Sequence, residues 1–195
     1  MKILQNKILH SKIRKWEVLN EEDISPSKWF KLSKEKVKLP NGKIDDYFVQ
    51  KLGDVVMIFA VNSKDEAIFV SQYKHGAREI TLELPAGRMG ENCNPIDEAM
   101  CEFKEETGYE ANQLEFLCKL ITEPSKSNVR VHCYFTDNIN FVGDQKFDDT
   151  EEIEVIHIPI SEIDKWIIDG RIVASDTLAV IKIVQSKFAD LFKRK

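Results

Sequence analysis

The sequence predicts an α/β fold, a mixed sheet with helices on both faces, plus a small N-terminal β-hairpin or sheet. Three observations predict it. The elements run in the order strands, one helix, strands, then helices. An Asn41-Gly42 step lies between two strand-like runs near the start, the strongest short hairpin signal. One well-capped amphipathic helix, Pro95 to Thr107, divides the strands. A chain of 195 residues that is 43% hydrophobic holds one main domain with a small appendage. The boundary is set between a β-rich segment, residues 1–52, and the main domain, residues 53–195.

Taken in order, residues 1 to 28 read as a mixed polar lead in which Trp16 and Ile24 hint at some packing. Trp29 to Leu32, Glu35 to Leu39 and Ile44 to Lys51 read as strand-like runs around the turn Pro40 to Lys43. Val55 to Val61 and Ala67 to Tyr73 form a second pair about the turn Asn62 to Glu66. A further strand ends at Leu82 to Ala86, where Gly87 and Gly90 permit a sharp loop. Asn94 caps the following helix, Pro95 suits its first position and Gly108 gives it a left-handed stop. Leu114 to Ile121 and Val129 to Thr136 read as strands around the loop Thr122 to Asn128. Asp137 to Thr150 reads as a polar loop, and Glu154 to Ile160 as another strand. Ser161 caps a short helix ending near Gly170. Ser175 or Asp176 caps a last one reaching about Phe192, with Leu178, Ile181, Val184, Phe188 and Leu191 on one stripe.

The net charge is −5. No lysine-arginine run is long enough to track a phosphate backbone, which argues against nucleic acid as a partner. No apolar run approaches membrane length, and the start MKILQNKILHSK is broken by charge too often for a signal peptide. Cys93, Cys101, Cys118 and Cys133 form no C-x-x-C, so a zinc site is poorly supported. Reduced thiols in the cytoplasm are the expectation.

The chemistry is concentrated in the central helix. Wound at roughly 100° per residue, it puts Ile96, Ala99, Met100, Phe103 and Thr107 on one face and Glu98, Glu102, Glu105 and Glu106 on the other. Carboxylates this close repel one another and destabilise the helix. A hard divalent cation shared with phosphate oxygens compensates well, since Mg²⁺ is held by a few carboxylates and its substrate. The competing reading is an acidic solvated face.

The stretch ELPAGRMGENCNPIDEAMCEFKEETGY, Glu83 to Tyr109, resembles the box of the Nudix hydrolases: G, five residues, E, seven residues, R-E-(apolar)-x-E-E-x-G-(apolar). Gly87, Glu102, Phe103, Glu105, Glu106, Gly108 and Tyr109 match. The first Glu of the pattern falls on Cys93 and its Arg on Cys101. In the family that pair braces the loop against the helix, so the resemblance implies a rebuilt support with the metal cluster kept. Cys93 and Cys101 are then neighbours, either small buried filler or a redox-sensitive disulfide, with filler favoured. The resemblance also implies the α/β/α Nudix sandwich.

Other positions resemble the ADP-ribose and ADP-sugar pyrophosphatase branch. Pro124 stands fifteen residues after Tyr109, the spacing that marks that branch. Trp29 and Tyr47 fall where two aromatics sandwich the adenine, in a region that crosses to a second subunit, so a homodimer is implied. Packing of a small sheet is the competing role for both. Lys74 falls where the family often has an Arg directed at phosphate, and as a point charge it lacks the bidentate fork. The implied reaction is hydrolysis of a nucleoside diphosphate sugar with Mg²⁺, or Mn²⁺, held by Glu102, Glu106, the Ala86 carbonyl and Glu105. The water-activating carboxylate is expected from the run Asp148 to Glu154, where register against the next strand favours Glu151, then Glu152, with Glu105 as a further candidate. Two alternatives stay open: a GDP- or UDP-sugar hydrolase, and a non-catalytic Nudix-fold protein that binds a nucleotide.

Overall fold

The computed structural model describes residues 12–90, 92–146 and 152–193. The chain divides into two compact units. Residues up to Leu52 group with Glu123–Asn128 in one, and Gly53–Thr122 with the residues from Val129 onward in the other.

The first unit is an antiparallel meander of β1 (Glu17–Asp23), β2 (Leu32–Lys38) and β3 (Ile44–Gln50). The Asn41-Gly42 step turns β2 into β3, with Gly42 at φ 88° and Leu39 N–H bonded to the Lys43 carbonyl at 2.8 Å. In β2, Ser33, Glu35 and Val37 alternate inward. Glu35 is buried and charged, a costly state unless paired, and Lys51 meets it at 2.7 Å. The segment Glu123–Asn128 joins through Gln50 N–H to the Lys126 carbonyl, 2.7 Å. β1 falls in the stretch read as a polar lead. Every residue of EVLNEED is exposed, so the strand rests on backbone pairing with β2 and shows no alternation for periodicity to find.

The second unit contains β4 (Val55–Ala60), β5 (Glu66–Lys74), β6 (Glu79–Glu83), β7 (Ala86–Arg88), α1 (Pro95–Thr107), β8 (Tyr109–Ala111), β9 (Glu115–Leu120), β10 (Val131–Thr136), β11 (Ile139–Phe141), β12 (Ile153–Pro159), α2 (Ile163–Ile168) and α3 (Ser175–Lys187). One sheet has the order β7-β4-β10-β9 with β4 and β10 parallel, a second the order β12-β5-β6, and β8 pairs with β11. β4 and β10 are buried on both faces, which is why β4 reads as an unbroken apolar run and β10 as a largely apolar one broken by His132 and Thr136. Along β4 the side chains sort by parity. Val56, Ile58 and Ala60 join Ala99 and Phe103 of α1 in one core. Met57, Phe59 and Val61 join Val180, Ile181 and Val184 of α3 in the other. This is the α/β/α sandwich, written in alternate residues of one strand.

Several local expectations are corrected. α3 starts at Ser175 behind Ala174 with no side-chain cap, and it stops at Lys187. Phe188 leaves the helix at φ −123°, ψ 50° to stack its ring on Phe135, 4.2 Å between centroids, so the stripe continues only as a 3₁₀ turn at Leu191–Lys193. The short helix α2 likewise follows a 3₁₀ turn rather than a Ser161 cap. The polar loop after Thr136 contains β11. Cys118 and Cys133 face each other across β9 and β10. That pairing, with Lys187 nearby, brings the Cys118 thiol down to about 7, while the pairing and burial push Cys133 up. Among the described residues no helix is long and apolar enough to cross a membrane.

Candidate active site

α1 forms as its ends dictate. Asn94 is extended and its Oδ1 accepts from Ile96 N–H at 3.2 Å. Pro95 occupies the first helical position, and Gly108 at φ 72° closes the last turn onto the Lys104 carbonyl. Ala99, Phe103 and Thr107 are buried, and so is Glu106 at 7% exposure. Removing the Phe103 ring would cost about 3–5 kcal/mol, so this face is firmly anchored.

Glu106 is buried because a backbone donor awaits it. Its Oε2 accepts from the Ala86 N–H at 2.9 Å, a charge-assisted bond that offsets part of its desolvation. Glu102, one turn earlier, lies against the next residue of β7. A Cβ built on Gly87 would land on the Glu102 carboxylate. Gly87 therefore makes room, and its place in β7 opposite Val56 corrects the expectation that the sharp loop begins there. Two carboxylates thus converge on two successive residues of a strand. This suits a hard cation that completes its shell with water and substrate oxygens. Among the described residues no group of three or more His, Cys, Asp or Glu side chains is placed to hold a metal ion by itself.

Comparison with known proteins decides the family. A model of the NUDIX domain matches residues 51–176, and a model of the nucleoside diphosphate sugar hydrolase N-terminal domain matches residues 16–50. The chain belongs to the Nudix family. It is 27% identical to the methanol dehydrogenase activator of Bacillus methanolicus over 173 residues, covering 87% of this chain and 92% of that one. It is 26% identical to the ADP-ribose pyrophosphatase of Bacillus subtilis (strain 168) over 174 residues, covering 89% and 94%. A crystal structure of an ADP compounds hydrolase superposes with a TM-score of 0.80 at 20% identity, covering 93% of this chain and 98% of that one, which is agreement in fold. Hydrolases of this family generally need a divalent metal.

Within this Nudix hydrolase, the outer carboxylates of α1 behave differently from Glu102 and Glu106. Glu98 Oε1 accepts from the Gly90 N–H at 3.2 Å, and the Cys93 thiol bonds to the same side chain. The Cys101 thiol donates to Glu105 at 3.2 Å. Both cysteines are exposed thiols, not joined in a disulfide, which corrects the expectation of buried filler and leaves each sulfur facing a carboxylate rather than its fellow. Those carboxylates hold both thiols above their usual range, with a smaller contribution from partial loss of solvent around each sulfur.

The C-terminal end of α1 is tied to the segment that follows β11. Val142 N–H bonds to the Gly108 carbonyl at 2.9 Å and Lys146 N–H to the Glu105 carbonyl at 3.0 Å. Gln145 Nε2 donates to the Glu106 carbonyl, and to the Ile153 carbonyl at 3.4 Å. Gln145 and Glu152 line a cavity of about 640 Å³ with Ser71, Gln72, Tyr73 and Glu154. Glu151 lies outside the described residues. Lys74 is engaged with Gln72 at 2.5 Å and Glu83 at 3.9 Å.

In the first unit, Trp29 is 81% exposed with the Lys28 ammonium 4.6 Å from its ring centre. Tyr47 is half-buried: its hydroxyl donates to the Ser125 carbonyl, Trp16 meets its ring edge-on at 5.5 Å, and Lys126 lies 5.4 Å from its centre. Sequence reasoning put Glu98 on the acidic face without its contact to the loop, and it gave Gln145 no role. For Glu98 a signal existed: two small cysteines at the bracing positions leave a gap that a third side chain on the same helix face can fill.

Proposed function

We propose that this Nudix hydrolase cleaves the diphosphate of ADP-ribose or a related nucleoside diphosphate sugar, giving a nucleoside monophosphate and a sugar phosphate. The observation that carries the reading is the convergence of Glu102 and Glu106 on Ala86 and Gly87. The names of the relatives and the match to the sugar-hydrolase N-terminal model support the substrate class. Glu102, Glu106 and the Ala86 carbonyl would hold Mg²⁺, or Mn²⁺, with Glu105 joining after it leaves Cys101. When bound, the metal neutralises charge building on the phosphoryl oxygens and acidifies a bound water. The chain's own part is to orient the diphosphate and take a proton from the attacking water. Glu151 is the base in this reading, with Glu152 and then Glu105 next in line. Trp29 and Tyr47 stack on the base, and Lys74 exchanges Gln72 for a phosphate oxygen.

The exposed Trp16, Val18, Trp29, Phe30, Ile44 and Phe48 all belong to the first unit, and that much apolar surface on a small unit supports a homodimer. The enzyme is proposed to be cytoplasmic and to engage neither nucleic acid nor membrane. The deciding experiment is a panel of ADP-, GDP- and UDP-sugars with Mg²⁺ and product identification. Release of AMP and ribose 5-phosphate from ADP-ribose is the expected result. Tight ADP-ribose binding in Mg²⁺ without hydrolysis establishes the non-catalytic alternative instead.

A further inference from the structure

The bracing positions of the Nudix box hold Cys93 and Cys101, and neither thiol reaches across as a long charged side chain would. Cys101 is occupied with Glu105, 3.2 Å away along its own helix, so it offers nothing to the loop. The loop is nevertheless held. Its Gly90 N–H ends on Glu98 Oε1, and a Cβ on Gly90 would come within 3.0 Å of the Cys93 sulfur, so little room is left at that glycine. Upstream, the Met89 N–H is fixed to the Asp54 carbonyl at 2.8 Å. Glu98 belongs to the first turn of α1, four residues before Glu102 and on the same side.

We propose that Glu98 is a positioning residue that replaces the missing brace, fastening the Gly90 turn to α1 and so setting how closely Ala86 and Gly87 face Glu102 and Glu106. The helix N-terminus also favours a carboxylate there. This inference rests on the hydrolase reading above for its effect on turnover, but not for the tie itself.

Amide hydrogen exchange by NMR and steady-state hydrolysis on the full chain test it together. In Glu98→Ala the Gly90 amide exchanges at least about tenfold faster, because its acceptor is gone. At the same time kcat falls roughly ten- to hundredfold, the scale of a small misplacement of reacting groups, while KM for the nucleotide stays within about twofold. Glu98→Gln keeps an acceptor oxygen and restores both values to near the parental ones, which a role in charge alone would not allow. Cys101→Ala leaves Gly90 exchange at the parental rate. Should Glu98→Ala fail to fold, Glu98→Asp, one methylene shorter, carries the same prediction. Parental Gly90 exchange in Glu98→Ala, or equal losses in the Ala and Gln variants, overturns the proposal. So does a released Gly90 amide with unchanged kcat. A parent that hydrolyses no nucleoside diphosphate refutes the hydrolase reading, and the exchange result then decides the tie by itself.

Discussion

Two pairs of carboxylates share one helix and do opposite things. Glu102 and Glu106 face a strand, one pressed into the space a glycine leaves and the other bonded to a backbone N–H. Glu98 meets the Gly90 N–H and the Cys93 thiol, and Glu105 meets the Cys101 thiol of its own helix. In the sequence all four are one acidic arc. The difference lies in what stands opposite, which helical periodicity does not report. Negative charge on a helix is therefore read correctly only together with the backbone brought up against it.

The contrast predicts a graded set of losses. Glu102→Gln should lower kcat on the order of 10³-fold, the scale of losing one electrostatic contact to a transition state, with the melting temperature nearly unchanged. A near-parental rate would remove the inner pair's claim to the chemistry. Gly87→Ala should come next. Its new methyl meets only the far end of a flexible side chain, so thermal unfolding should show a cost below about 1 kcal/mol. The carboxylate must still move aside, so activity should fall about a hundredfold. A large stability loss with retained activity would break the assignment. Glu105→Gln should cost about tenfold or less in kcat, since Glu105 begins the reaction turned towards Cys101; a loss as large as that of Glu102 would erase the distinction between the pairs.

The smallest effect concerns the upstream anchor of the same loop. Burial acts to raise the Asp54 carboxyl, but hydrogen bonds from His132 and the Arg130 N–H outweigh it and hold it below 3.8. A depressed folded value contributes stability above pH 3.8 that is lost as pH falls through the folded value. Asp54 is 36% exposed, so screening reduces its worth to about 1 kcal/mol. Denaturant titrations should show Asp54→Asn less stable than the parent by that amount near pH 6 and equal to it in strong acid. A difference that persists in acid would place the contribution elsewhere.

The central helix was legible because all its instructions are local: Asn94, Pro95, Gly108 and the apolar spacing between them act within a few residues. β4 and β10 were legible because burial on both faces leaves a wholly or largely apolar run. β1 was not, since an exposed strand held by its neighbour carries no pattern of its own. The stop at Phe188 depends on a partner ring at Phe135, and the facing of Cys118 and Cys133 depends on strand register. Neither can be counted along the chain. In the candidate site, the sequence identified the carboxylates but not the space Gly87 leaves, nor which acidic side chain supports the loop, because both are distances between elements.

Gln145 donates to both the Glu106 and the Ile153 carbonyls, so one side-chain amide joins the end of α1 to the start of β12. Shortening that side chain would loosen the helix end and the strand start together.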